Sequence, residues 1–490
     1  TQLSALVPWS ILPGEYDLTL TKTTGESGVL PDAVMIDPVV TDWASNGPYG
    51  GALTDPSIDP KNPARIYVGA QRSGVFFTTD GAENWTMERI APFPGKVHFV
   101  YAAGATTPTM YMDGSVGIPG LQRSTDNGAT WQTKMPFWYD GSGITIRAAV
   151  DDTQPDWVYL AVHEWGNDPQ LAGVYLSTNQ GDWWNQFTAT AGLQVRSIAV
   201  EPGNINHLAI GTEDGYVLTS TDGGTNWSAA VLVDADGDPD ALTDIDRLVI
   251  SPFQVNGIRR IWALSSYTDW AYYSEDDGAT WTPKNIQMSW AIYDLEYHDT
   301  IPGLLWAAVG GTYYSTDDGD TWTALNGDIG EVNHFALVAG ADTRAETTIF
   351  AASVSGMFKS TNGGDSWVEK DQGLGAALPG AIVVSPFNVD EAYASIIGKG
   401  LQRTVDGGTT WQKTIIPNSY YRVGMAADPF TRGKFYFSKG QWQAFPEVYV
   451  TEDHANTYAT YTITLPASFV SDERGADVNA IAANPDVSGS

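Results

Sequence analysis

One motif recurs nine times along this 490-residue chain, and it constrains the fold more than any other feature. The pattern is Ser/Thr-x-Asp/Asn-x-Gly-x-x-Trp, found at Ser124–Trp131, Ser177–Trp184 and Ser220–Trp227, and with its Gly one place earlier at Thr78–Trp85. It continues at Ser274–Trp281, Ser315–Trp322, Ser360–Trp367 and Thr404–Trp411, and weakens at Thr451–Tyr458. Successive Asp or Asn positions are 41 to 54 residues apart. Nine copies of one motif cannot be nine active sites, so the motif is read as a structural turn. Its Asp or Asn is placed to accept backbone N–H groups. Its Gly supplies a positive φ, and its Trp can pack between neighbouring sheets.

Each repeat reads as four short strands. An apolar run ending in a Pro turn comes first, as in Ile198-Ala-Val-Glu-Pro202 or Leu248-Val-Ile-Ser-Pro252. A second strand follows, such as Ile66–Ala70 or Ile349–Ala352, a third runs into the motif, and a fourth leaves from its Trp. No run shows helical apolar periodicity, so the expectation is all-β structure built as a β-propeller of four-stranded blades.

Composition narrows the partners. With 58 Asp plus Glu against 25 Lys plus Arg, the formal charge of −33 opposes nucleic-acid binding, because phosphate is repelled rather than neutralised. Zero cysteines remove disulfides, thiolate nucleophiles and cysteine-ligated metals, and the six His show no H-x-x-x-H pairing. No stretch approaches the ~18 apolar residues of a membrane span. Apolar residues at 42% and aromatics at 12% argue for a packed chain rather than a disordered one. Acidity without Cys, with abundant Trp, Gly and Asp, suits an extracellular or cell-surface location.

These repeats resemble the Asp-box (BNR) repeat of sialidases, xyloglucanase-type glycoside hydrolases, sortilin-type receptors and a photosystem-assembly propeller. The resemblance spans roughly residues 10 to 490. Counting one blade closed between the termini gives one ten-bladed ring, as in sortilin-type receptors, with Asp-box turns on one face; the alternatives are two smaller propellers or a fragment of a longer tandem protein. Residues 49–477 would supply nine Asp-box blades. Residues 1–48 and a closing strand at 478–490 would complete a tenth between the termini. The Arg-Ile-Pro element of sialidases is absent; Arg65-Ile-Tyr67 lacks the Pro. The segment Leu3-Ser-Ala-Leu…Gly14-Glu-Tyr-Asp-Leu18 resembles one bearing a catalytic Asp in xyloglucanases, but here Trp9 and Ser10 fall at that place.

Function is expected on the face opposite the repeated turns, where the irregular links lie. Those links carry Trp138, Tyr139, Trp165, Trp270, Trp290, Tyr420 and Trp442 as candidate ligand-binding aromatics. Flat rings stack on apolar C–H faces of sugars while nearby carboxylates and amides take hydroxyls. Glycoside hydrolysis would need a carboxylate pair, and Glu164, Asp168, Asp269 and Glu447 are the candidates. Asp234, Asp236, Asp238 and Asp240 alternate around a Gly turn and suit a structural Ca²⁺, although the spacing departs from an EF-hand. No other cofactor is expected. The primary expectation is a secreted, noncatalytic propeller that binds a glycan or an extracellular protein. The alternatives are a xyloglucanase-like hydrolase and a self-assembling cell-surface component.

Overall fold

The computed structural model describes residues 14–21, 27–36, 52–70, 74–88, 94–115, 120–135, 143–164, 171–233, 244–254, 259–265, 270–286, 292–325, 327, 329, 331–372, 374, 379–396, 399–416, 425–439 and 447–462. Residues 1–45 and 46–490 form two compact units. In the smaller unit, Gly14–Thr21 pairs antiparallel with Ser27–Ile36.

The larger unit is a series of four-stranded antiparallel meanders, with no α-helix among the described residues. None of its helical turns is long and apolar enough to cross a membrane. By residue number, the sheets span 53–88, 94–134, 144–186, 195–232, 247–285, 294–324, 332–369, 379–413 and 425–462, and we call them the first to ninth. A short pairing between Thr109–Ser115 and Ile144–Ala149 also joins the second and third. Strand character follows burial. The second strands, such as Ile261–Leu264, Leu305–Ala308 and Ile349–Ser353, are buried along their whole length. They are covered by neighbouring sheets on both faces, and so read as unbroken apolar runs rather than alternating ones. The fourth strands, such as Thr323–Ala324, are short and exposed.

Apolar clusters show which sheets are neighbours. Val97, Met110 and Met112 of the second sheet pack on Tyr67 and Val75 of the first. Equivalent clusters link the second to the third, the third to the fourth, the fourth to the fifth, the fifth to the sixth and the sixth to the seventh. One more joins Leu53, Ile66 and Val68 of the first sheet to Phe350, Ala352 and Met357 of the seventh. Trp85 Nε1 donates to the Lys370 carbonyl at 2.7 Å, and the Lys370 ammonium meets Glu83 at 2.6 Å.

Among the described residues, seven sheets thus form a closed circuit. The first sheet has its neighbours in the second and seventh. The eighth and ninth sheets pack on each other through Tyr393, Leu401, Phe435 and Phe437. The closing strand expected at 478–490 lies outside the described residues.

The repeated turn is a compact hydrogen-bonded unit. In the fifth sheet, Ser274 Oγ donates to Asp276 Oδ1 at 2.8 Å and accepts the Gly278 N–H at 2.8 Å. Asp276 Oδ1 also accepts the Thr280 N–H at 2.8 Å. The same bonds recur at Ser124, Ser315 and Thr404. Two consecutive residues take positive φ, as at Asp318 (59°) and Gly319 (86°).

A coupling absent from the motif reading joins three of the turns to the preceding sheet. In the third, fifth and sixth sheets the aromatic at the second position of strand two lies beneath the next turn. Tyr159 Oη donates to the Gly223 carbonyl at 3.2 Å, and Trp306 Nε1 to that of Gly363 at 3.2 Å. Trp262 Cζ2 lies 2.5 Å from where a Cβ on Gly319 would stand. Gly340 has a similar φ of +90° with nothing within 4 Å of that position. Gly340→Ala should therefore cost only the left-handed backbone penalty, about 1–2 kcal/mol. Gly319→Ala should cost about 1–3 kcal/mol more through overpacking, read as a lower Tm in thermal denaturation.

Candidate functional site

Register places the ends of the second strands, and the starts of the first and third, on the face away from the repeated turns. In the fourth sheet Val195 pairs with Thr212, and Gly211 with Val217. On this face the third, fourth and fifth sheets bring together a polar cluster flanked by aromatics. Glu164 ends strand two of the third sheet; its N–H donates to Gln194 Oε1 at 2.9 Å. His163 Nε2 lies 3.1 Å from Glu213 Oε2 across the same sheet boundary. Burial pushes the His163 pKa down, against the pull of Glu213, so the neutral ring is favoured. Arg196 donates to Asp246 at 2.6 Å and lies 3.6 Å from Asp244. Burial raises the Asp244 carboxyl, with Arg196 opposing.

Two aromatics open strand three of adjacent sheets at this edge: Tyr216 in the fourth, 38% exposed, and Trp270 in the fifth, 39% exposed. Trp270, expected from the sequence as a ligand-binding candidate, and Glu164, expected as a catalytic one, lie on one face of the fold. Tyr216 was missed. Its signal was its position, the residue after the Gly of Asp214-Gly215 that opens strand three. Glu447 opens strand three of the ninth sheet, paired through its backbone with Lys439 and Thr462. Its sheet is outside the closed circuit that holds Glu164. Asp168, Asp269, Trp138, Tyr139, Trp165, Trp290, Tyr420 and Trp442 lie outside the described residues, as do Asp234, Asp236, Asp238 and Asp240. Among the described residues no cluster of three or more His, Asp or Glu is arranged to hold a metal.

The innermost strands of the circuit enclose a cavity of about 280 Å³. Its wall includes Asp55, Lys96, His98, Asp113, Arg147, Asp246, Arg247 and Glu296, interleaved with Ile198, Val200, Val249 and Ile250. A register shift between Thr54 and Ser57, with Asp55 at a φ of 47°, marks a bulge at Asp55. Arg247 Nε meets Asp294 Oδ1 at 2.7 Å, and its Nη1 lies 3.5 Å from Asp55. The other Asp294 oxygen accepts the Phe335 N–H of the seventh sheet at 2.8 Å, tying the sixth sheet to the seventh.

The cavity polarises its titratable groups. Burial would raise Asp55, but His334, Arg247, Arg147 and Lys96 outweigh it and hold the carboxyl at about 2. Burial lowers the His334 pKa in turn, so at neutral pH the permanent cations do this work. Burial raises Glu296, with Lys96 and Arg247 opposing. Two carboxyls against one guanidinium are thus driven in opposite directions.

Removing that guanidinium should be severe. Arg247→Met strands the fully buried Asp294 carboxylate and should cost about 3–5 kcal/mol in chemical denaturation. The pH signature is specific. Asp55 is depressed from 3.8 to about 2, so its stabilising contribution is complete above 3.8 and is lost as pH falls through about 2. Loss of Arg247 raises the folded-state value, so its share of the acid transition should shrink. Following stability between pH 5 and 2 in both proteins checks this.

No protein-family model matches the chain, and no curated protein is similar to it in sequence. Among solved structures it is similar to an ancestral GH74 enzyme, at 15% identity and a TM-score of 0.63, covering 88% of this chain and 64% of that one. The chain therefore spans less than two thirds of that enzyme's length. It also aligns with the GH74 xyloglucanase of Xanthomonas campestris (17% identity, TM-score 0.37, 95% and 83% covered). A third match is YCF48 of Cyanidioschyzon merolae (17% identity, TM-score 0.34, 74% and 98% covered). The likeness to the ancestral enzyme is one of fold, and it agrees with the sheet arrangement: this chain is a β-propeller.

Proposed function

We propose that this chain is an extracellular propeller, with Asp-box turns on one face, that binds a glycan on the other without cleaving it. The observation that carries the reading is the pair Trp270 and Tyr216, exposed at matching positions on adjacent sheets. On the same face lie Glu164, Gln194, Glu213, Asp244 and Asp246. Rings on a rigid sheet edge offer stacking surface at little cost in entropy, and the acids and amide accept sugar hydroxyls.

A second reading, a glycoside hydrolase, is favoured by two observations. The fold is similar to that of an ancestral GH74 enzyme. Burial also raises the pKa of Asp244, close to the Arg196-bound Asp246, as a general acid beside an ionised partner would require.

A glycan array followed by a reducing-sugar assay separates the two. Binding without release of reducing ends supports the first reading. Release that disappears in Asp244→Asn, with binding retained, supports the second. In either case Trp270→Ala and Tyr216→Ala should each weaken binding about tenfold. Binding that is unchanged in both variants removes this face from consideration.

A further inference from the structure

We propose that the eighth and ninth sheets join copies of this chain head to tail, the open face of the eighth sheet in one copy stacking on the open face of the ninth in another. Two strands of matching sequence lead to this. Ile382-Val-Val-Ser-Pro-Phe387 in the eighth sheet repeats Leu248-Val-Ile-Ser-Pro-Phe253 in the fifth. Their registers agree: Leu248 pairs with Ala263 and Ile250 with Ile261, as Ile382 pairs with Ala394 and Val384 with Ala392. In the fifth sheet Leu248 and Ile250 are 7% and 4% exposed, packed on Ala209 and Val217 of the fourth. In the eighth, Ile382 and Val384 are 65% and 50% exposed, and neither belongs to an apolar cluster among the described residues. Equivalent side chains thus form a buried contact in one sheet and a bare surface in the other.

The apolar clusters of the larger unit show what such a surface receives. At each boundary they describe, strands two and three of one sheet meet strands one and two of its neighbour. The eighth and ninth sheets obey the same polarity, with Tyr393 and Leu401 of the eighth against Phe435 and Phe437 of the ninth. The pair is therefore bare on strand one of the eighth sheet and on strands two and three of the ninth. On that second face Tyr436 and Val448 hold the places that Tyr393 and Leu401 hold in the eighth. Tyr393 and Leu401 are buried, whereas Tyr436, Val448 and Val450 are only half-buried. Tyr461, paired with Val448, is exposed.

The two bare faces are the two halves of the boundary that this fold already uses, so a second copy supplies what each one lacks. A two-fold dimer would set like face on like face, a contact found at none of the described boundaries. Head-to-tail contact is heterologous: each copy keeps one face open after pairing, so assembly continues past two. Most of the large apolar side chains exposed among the described residues lie within 379–462, as a contact surface requires. The formal charge of −33 makes copies repel, so added salt should strengthen an apolar contact between them. These sheets are separate from the aromatic face, so either proposal can fail alone.

Sedimentation velocity over a roughly hundredfold range of protein concentration, at low and high salt, tests it. The mean mass should rise with concentration, pass that of a dimer, and rise further in high salt. Ile382→Asp on one face and Val448→Asp on the other should each weaken association at least about tenfold. An equal mixture of the two variants should form a one-to-one dimer and nothing larger, because each retains the face that the other has lost. Should Val448→Asp fail to fold, Tyr461→Asp at the exposed position beside it takes its place. A chain that stays monomeric throughout overturns the proposal, as does wild-type assembly that stops at a dimer. Association unchanged in both variants, or a mixture of them that stays monomeric, refutes it equally.

Discussion

Everything in the larger unit depends on how one sheet grips the turn of the next. A serine or threonine hydroxyl and an Asp or Asn side chain close the turn internally, satisfying backbone donors that would otherwise be buried without partners. At Gly319, Trp262 of the preceding sheet fills the space beneath the turn glycine. That glycine is thus required twice, for its positive φ and for its missing Cβ. Each sheet is too small to bury both of its faces alone, and stacking through these contacts turns a string of marginal meanders into one continuous core.

Closure follows from the same packing. The contact between the first and seventh sheets is built like the others, from an apolar cluster, with a side chain reaching a backbone carbonyl. It adds the Lys370–Glu83 ion pair, a surface contact worth little by itself. The central cavity is a consequence of closure. Inner strands held apart by the bulk of the sheets behind them leave a space, and their polar side chains face one another across it. Charges on strands far apart in sequence, Asp55 and Arg247 among them, are brought together this way.

The face site and the cavity differ in how they are built. The face site stands on strand ends, where side chains leave the sheet edge and aromatic rings remain exposed. The cavity stands on strand interiors, where neighbouring backbone N–H groups hold Asp113 and Asp294 in place. The second is therefore more rigid, and its charges are less screened by solvent.

Local chemistry was legible from the chain alone, because it repeats at short range. The all-β class, the four-strand unit, the hydrogen-bonding roles of the motif residues and the packing of its tryptophans all follow from residues within a few positions of one another. Glu164 and Trp270 could be singled out because they break the repeat. The number of sheets in the circuit could not be read in this way. Each copy of the motif looks alike, and which copy meets which is set by the shapes of side chains between sheets, summed around the whole circuit. Tyr216 and the cavity charges were hidden for the same reason. Lys96, Arg147 and Arg247 are unremarkable in sequence and acquire meaning only when closure sets them around Asp55 in one space, by geometry that no local pattern encodes.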